Sequence, residues 1–475
     1  MIELSGKNNL ENSNGYLIAS IAIMLTIISV TLVILELYSF AVVVFSVPFI
    51  IYALYYFEPN VKYYFVTSLF FSSYFYWPLR IQPSLLVSVF IILIFLSNPS
   101  HSIFNNLKLP RYAKYLGTIL VVYIFISSFL SPHFGIQAFY FSLLFCIFMS
   151  ASYVFYRLIT STDDISKILD YFIVLTFISG IIIIIRILMT GKLRSLGLAG
   201  FAIMDFAVIS LVILIFKDFL LGKPNKRSVL YLTIIFIILI TTQSRFAWLG
   251  FLLTMIYGSI ISGFYSQNAK ELLRKRIPQI IMVFVALISL LFVSGLGSVF
   301  IGRLTEINFS FFQNEEGMMV TNSLESRILI WIVAYNAFLS HPITGIGYLM
   351  FSEVSEQYNV LPLFAYRIFV EGLDAHTTYF NILTETGIIG FVLFLSYIIT
   401  VFTFSIKAIK ISLLNSEKNI SIILTSLVFF FMVHSIYSGA FTFSQSAYLM
   451  HYIFGITLAN YSLLRQKLLY RSEVS

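Results

Sequence analysis

Residues 387–406, GIIGFVLFLSYIITVFTFSI, run for twenty positions without a charged side chain. Twenty such residues wound as a helix cover about 30 Å, the hydrocarbon thickness of a bilayer. Comparable runs lie near 16–36, 39–57, 62–78, 81–97, 115–131, 138–158, 168–189, 201–221, 228–242, 245–264, 279–298, 419–439 and 444–464. The expected fold class is an all-α polytopic membrane protein with about 12–14 transmembrane helices. The closely spaced pairs 62–78/81–97 and 228–242/245–264 have short members, which leaves the count open. Composition agrees. Of 475 residues, 59% are hydrophobic and 11% charged, against about 45–50% and about 25% in soluble domains. No soluble interior holds that much apolar surface, so soluble enzymes, nucleic-acid binders and disordered chains are excluded despite a net charge of +8.

Upstream of this run lies an interval of 88 residues, 299–386, that holds nine of the 21 acidic residues. Long loops in compact proteins usually carry function. The chain therefore reads as N-terminal spans (1–298), a long outer loop with amphipathic helices (299–386), and C-terminal spans with a tail (387–475). Lys and Arg resist translocation and so report orientation. With fourteen spans, 21 of the 29 basic residues fall on one side together with both termini, which are expected to be cytoplasmic. The mixed, polar N-terminus is expected to be no removable signal peptide.

The eight outer cations are Arg80, Arg186, Lys192, Arg194, Arg245, Arg303, Arg327 and Arg367. Seven are Arg, a bias that topology does not require. A guanidinium grips phosphate oxygens through two parallel hydrogen bonds, so the bias points to an outward-facing site for a phosphorylated ligand. The plainer reading is pairing with outer carboxylates or snorkelling to the interface.

Within the loop, Asn322 and Glu325 form a capping box opening a helix through SLESRILIWIVAYNAFLS, closed by His341-Pro342. Ile328, Trp331, Ile332 and Tyr335 recur at helical spacing, and Trp331 reads as an interface anchor. In PITGIGYLMF, Gly345 and Gly347 permit a tight turn or close approach by a ligand. DAHTTYFNILTETG then opens a second helix with Asp374 as N-cap and Gly387 as its end or hinge. That places His376 in the first turn, where the helix dipole favours a neutral, proton-accepting ring suited to general-base chemistry. Ser244-Arg245 stands at the mouth of a span, and Asp205 lies inside another, open to pairing with Arg186 or Arg194. Asp374 is also placed to orient His376. His101, His133, His341, His434 and His451 are weaker candidates, and Cys146 reads as a core residue. No metal-ligand cluster and no nucleotide-binding loop occurs, so no metal or cofactor is expected.

These motifs together resemble the O-antigen ligase/polymerase family over about 240–395. The carriers are Arg327-x-x-x-Trp331, the Pro342-x-x-Gly345-x-Gly347 turn, Ser244-Arg245, and His376-Thr377 followed after nine residues by Gly387. Thr377 departs from the family's usual Asn, Ser or Gln. The resemblance implies a GT-C-type inner-membrane glycosyltransferase that uses an undecaprenyl-diphosphate-linked glycan donor in a metal-independent, inverting transfer. The acceptor would be a lipid or a lipid-linked glycan, the only other partners membrane lipids, and no nucleic acid is involved. With the outer cations read above, His376 is the expected base, Arg327 and Arg245 the expected catalytic cations, and Arg194, Lys192, Arg303, Arg367 and Arg80 the expected diphosphate contacts. The motifs leave ligase and polymerase open. A flippase of lipid-linked glycan, or a non-enzymatic assembly protein, fits less well, since no inverted repeat is visible.

Overall fold

The computed structural model describes residues 107–190, 203–242, 244–265, 323–439 and 445–474, with 62, 63, 66, 67, 274 and 278 besides. The chain divides into two compact units, 1–103 with 198–201, and 104–197 with 202–475. Nearly all described residues belong to the second. Among them every regular element is helical, as expected. The helices are α1 (Arg111–Leu130), α2 (Ile136–Leu158), α3 (Thr162–Thr190), α4 (Ile203–Leu214, continued by a π-helical turn Ile215–Leu220), α5 (Lys226–Thr241) and α6 (Arg245–Tyr265). After the undescribed interval come α7 (Ser323–Ser340), α8 (Phe351–Val354, continued by a 3-10 turn), α9 (Leu363–Phe369), α10 (Thr378–Ile411), α11 (Asn415–Tyr437) and α12 (Gln445–Val474).

Six of these, α1, α2, α3, α6, α10 and α11, are long and apolar enough to cross a membrane. This is a multi-pass membrane protein. The shorter α5 has 16 residues, and the 30-residue α12 carries His451 and Asn460 within its apolar stretch. The expected spans at 16–36, 39–57, 81–97 and 279–298, and most of 62–78, lie outside the described residues.

Apolarity around each helix explains membrane residence, while small and hydroxylated residues explain the packing. In lipid every backbone polar group must be satisfied within the chain. Thr386, Thr425 and Thr457 each donate to the carbonyl four residues back at 2.7 Å. Ser142 bonds Ser128 between α2 and α1, and Thr176 meets Ser210 between α3 and α4, each at 2.7 Å. Such contacts hold membrane helices where the hydrophobic effect between them is absent. The heart of the unit is α12 against α2. Tyr448 and Tyr452 meet Phe148 and Phe155 edge-on at 4.5 and 4.2 Å between ring centroids. Cys146 corrects its expected core placement. It is only partly buried.

The loop helix α7 has the bounds its sequence suggested, but not the expected contact face. Leu329, Ile330, Val333, Ala334 and Ala337 are buried, whereas Ile332 and Tyr335 are exposed. The helix is apolar nearly all round, so periodicity could not choose the face. Asn322 and the Glu325 side chain, the expected capping box, lie outside the described residues.

The loop is welded to the span by a joint at Gly387. There φ is +67°, and α10 breaks. The carbonyls released upstream are taken by the Gly345–Gly347 turn: Ile346 N–H donates to Thr384 O (3.1 Å) and Gly347 N–H to Glu385 O (2.9 Å). In return Ile388 N–H donates to Pro342 O at 2.9 Å. From α1, Tyr123 Oη donates to Ile343 O (2.9 Å) and Ser127 Oγ to Thr344 O (2.6 Å). The close approach made possible by these glycines is therefore to backbone. A Cβ on Gly387 would sit 2.2 Å from Ile343 O, and one on Gly345 would sit 2.3 Å from Glu385 C. Gly387→Ala is expected to destabilise by about 2–4 kcal/mol, combining left-handed strain with the overlap. Gly372→Ala is the control, since its φ is +71° but nothing lies within 4 Å. Thermal melts in detergent check this, and equal losses for the two variants would remove the steric account.

Candidate active site

Four elements meet at the end of the bundle that carries the loop. These are the start of α6, the start of α7, the approach to α10, and the end of α11. The approach to α10 differs from expectation. The helix begins at Thr378, with Thr377 as N-cap. Asp374 does not cap it, and His376 stands before the helix with φ +51°. The first-turn dipole argument therefore falls away.

A carboxylate takes its place. His376 Nδ1 lies 2.5 Å from Asp374 Oδ1, with the side chains 40% and 25% exposed. The same Asp374 oxygen receives the His376 backbone N–H at 3.4 Å. With Nδ1–H donating to Asp374, Nε2 is left as the accepting nitrogen at the open side. Asn381, one turn into α10, fixes the segment by accepting from Ala375 N–H (2.8 Å) and donating to Asp374 Oδ2 (3.4 Å). Trp331 braces it from α7. Its Nε1–H donates to Ala375 O at 2.9 Å, and its ring stacks on Phe380. Trp331 is thus a prop for the His376 segment, a role its spacing did not suggest.

Arg327, also on α7, donates from Nη1 to Tyr437 O at 2.9 Å. Its guanidinium carbon stands 4.2 Å from the centre of the Phe246 ring, and Phe246 stacks on Tyr437. Phe246 follows Arg245, so the two expected cations reach the same corner of the bundle. Burial pulls the Arg327 guanidinium below its ordinary value, and the nearby Asp374 carboxylate pulls it back up. One of five N–H donors is committed to Tyr437, which leaves the others for an anion. Ser244 serves the backbone: its Oγ accepts from Ala247 N–H at the head of α6 (3.3 Å).

The end of α11 anchors both halves. Thr378 donates through N–H (3.0 Å) and Oγ1 (2.8 Å) to Ser438 O, and Thr377 Oγ1 donates to Ser435 O at 3.1 Å. One turn below, His434 Nε2 lies 2.9 Å from Asp205 Oδ1, both side chains nearly sealed. Ser446 of α12 donates to the other Asp205 oxygen. Asp205 is therefore paired with His434, a residue sequence reasoning ranked low, in place of Arg186, while Arg194 lies outside the described residues. Glu385 was also missed as an individual. Its buried carboxylate accepts the backbone N–H groups of Leu349 and Phe351, which accounts for the positive φ of Leu349 (58°). The signal available was a carboxylate two residues before the joint glycine.

Of the remaining expected site residues, Arg367 is exposed on α9, and Lys192, Arg194, Arg303 and Arg80 lie outside the described residues. Among the described residues no group of three or more His, Cys, Asp or Glu side chains is arranged to hold a metal ion.

Residues 230–395 match the O-antigen ligase family. The match runs from α5 into α10 and so contains Ser244, Arg245, Arg327, Trp331, the glycine turn, His376 and Gly387. The chain carries an O-antigen ligase domain. The likeness is to membrane proteins of O-antigen ligase or polymerase type, and it spans 166 of the 475 residues. No curated protein matches the chain. Within the O-antigen ligase domain, the glycine turn and Gly387 form one backbone joint, while Arg327, Trp331 and His376 form the open cluster beside it.

His133, in the turn after α1, and Tyr358 clamp the outer segment. His133 Nε2 and the Tyr358 hydroxyl lie 2.7 Å apart, with His341 edge-on to the same tyrosine ring. Burial first, and His341 second, hold the His133 ring below its ordinary value. A folded value below the unfolded one means that this contribution is complete above about pH 6.5 and is lost as pH falls. The protection of the 355–362 amides, taken relative to their intrinsic exchange rates at each pH, is expected to fall on acidification below pH 6.5, and His133→Gln is expected to flatten that dependence. An unchanged profile in the variant would assign the effect elsewhere.

Proposed function

We propose that this chain transfers an oligo- or polysaccharide from a polyprenyl diphosphate, undecaprenyl diphosphate by the family resemblance, to an acceptor hydroxyl at the outer face of a bacterial inner membrane. The observation that carries the reading is the Asp374–His376 contact at 2.5 Å beside the half-buried Arg327. His376 Nε2 takes the proton from the acceptor hydroxyl as its oxygen bonds to the anomeric carbon. The bond from that carbon to the diphosphate oxygen breaks with inversion, and the electron pair leaves on the diphosphate. Asp374 steadies the imidazolium that forms, in the manner of the carboxylate behind a catalytic histidine. Arg327 and Arg245 meet the growing charge of the leaving group, with Lys192, Arg194, Arg303, Arg367 and Arg80 as outlying contacts. In this orientation both termini are cytoplasmic.

The test is reconstitution of the purified chain with a lipid-diphosphate oligosaccharide and two acceptors, a lipid core and a second lipid-linked unit. Transfer to the first identifies a ligase, and to the second a polymerase. Because the reading assigns charge neutralisation to arginine, transfer is expected to persist in excess chelator. Movement of the lipid-linked glycan across vesicles without any new glycosidic bond would replace it with a flippase.

A further inference from the structure

At the end of the bundle away from His376, a cavity of about 850 Å³ opens between α1 and α2, within the range of small-molecule sites. Among its described lining residues are four cations, Lys108, Arg111, Lys114 and Arg157, and no carboxylate. Its inner wall is apolar, built by Val121, Met149 and Leu458. Gly117 keeps the floor deep, since a Cβ there would press on Met149 at 3.2 Å. Outward along α1, Ile119, Val122 and Ile126 form a continuous exposed apolar track, while Tyr112 and Tyr115 are exposed at the level of the cations. Aromatic rings at this level mark the membrane–water interface.

We propose that this groove binds one anionic glycerophospholipid, with its phosphate among Lys108, Arg111, Lys114 and Arg157 and an acyl chain along the Ile119–Ile126 face of α1. Cations that serve orientation alone need no shared cavity and no apolar floor. Here cations interleaved with aromatic rings give way to an aliphatic track, in the order of a lipid's own head and tail. A basic pocket between transmembrane helices is the recurrent form of anionic headgroup site. Arg157 is itself set in place, its Nη1 donating to Tyr153 Oη at 3.2 Å.

The test is native mass spectrometry and thermal melting of the purified full-length chain with phosphatidylglycerol, phosphatidylcholine or inorganic phosphate. Phosphatidylglycerol is expected to stay bound and to raise the melting temperature, and the other two to do neither. R111E/K114E should lower retained phosphatidylglycerol about tenfold or more, at roughly 1 kcal/mol for each basic residue near the surface. Thr118, exposed on the groove wall, gives the second probe: T118W keeps every cation but fills the groove, and should lower retention as much. If R111E/K114E fails to run as a single species, T118W and R157Q decide. Equal retention of phosphatidylcholine, or wild-type retention in T118W, would overturn the site in favour of diffuse surface attraction. An equal thermal shift with inorganic phosphate would overturn it in favour of a free-anion site.

Discussion

Replacing His376 by Ala is expected to lower glycan transfer by about 10²–10⁴-fold, the scale of a general base, with little change in melting temperature. The stability half of this rests on exposure. The side chain is 40% exposed and its polar contact is with Asp374, so truncation leaves no buried cavity. The activity half rests on the partner. Asp374→Asn keeps the shape but replaces the acceptor that fixes the Nδ1–H tautomer, and should lower turnover substantially while binding of the lipid donor is retained. Single-turnover transfer with pre-bound donor measures both. Near-normal turnover in folded His376→Ala would remove the base from the mechanism and leave the cluster a binding site.

Arg327→Lys is expected to lose most of what Arg327→Ala loses, roughly 2–4 kcal/mol of barrier on the scale of a preorganised donor to a developing anion. The wild-type guanidinium does two things at once. It donates to Tyr437 O at 2.9 Å and lies over Phe246 at 4.2 Å, with four further N–H donors on the same group. An ammonium is a compact point charge without a planar fork and cannot reproduce both. The deficit should fall on kcat more than on KM, since the diphosphate gains charge only as the bond breaks. Melting temperature separates this from loss of the Tyr437 tether. A conservative change in the basic stretch before the long loop, Lys275→Arg, should alter neither quantity. Wild-type turnover in Arg327→Lys would reduce the residue to diffuse positive potential.

Helix existence was legible because each span is a long apolar run, and α7 was legible to its ends because Pro342 closes it. The neighbours were not. A helix apolar on all sides does not announce which stripe it buries, so α7 presented Leu329 and Val333 to the bundle while Ile332 and Tyr335 remained outside. Asp205 was recognisable as a polar residue in an apolar span, but its partner His434 stands 229 positions later, and no periodicity links them. His376 was found by type and spacing, yet its conformation was missed. Asp-Ala-His folds back on its own carboxylate before the helix begins, a local competition of side chain with backbone that helix rules do not register.

The joint at Gly387 turns a spacing into a length standard. From Thr378 to Gly387 the chain is helical, so the distance from the joint to the start of the helix is set at about 1.5 Å per residue, and the azimuth at about 100° per residue. The joint itself is pinned by main-chain bonds on both sides, which no side-chain repacking can slide. One residue added between Thr378 and Gly387 would therefore swing the Asp374–His376 pair about a quarter-turn from Arg327. A residue added between Val360 and Leu373, on the far side of the glycine turn, would leave their facing intact. Tolerance to changes in length is accordingly asymmetric: the nine positions after Thr377 act as a calibrated spacer, and the stretch before Asp374 as slack.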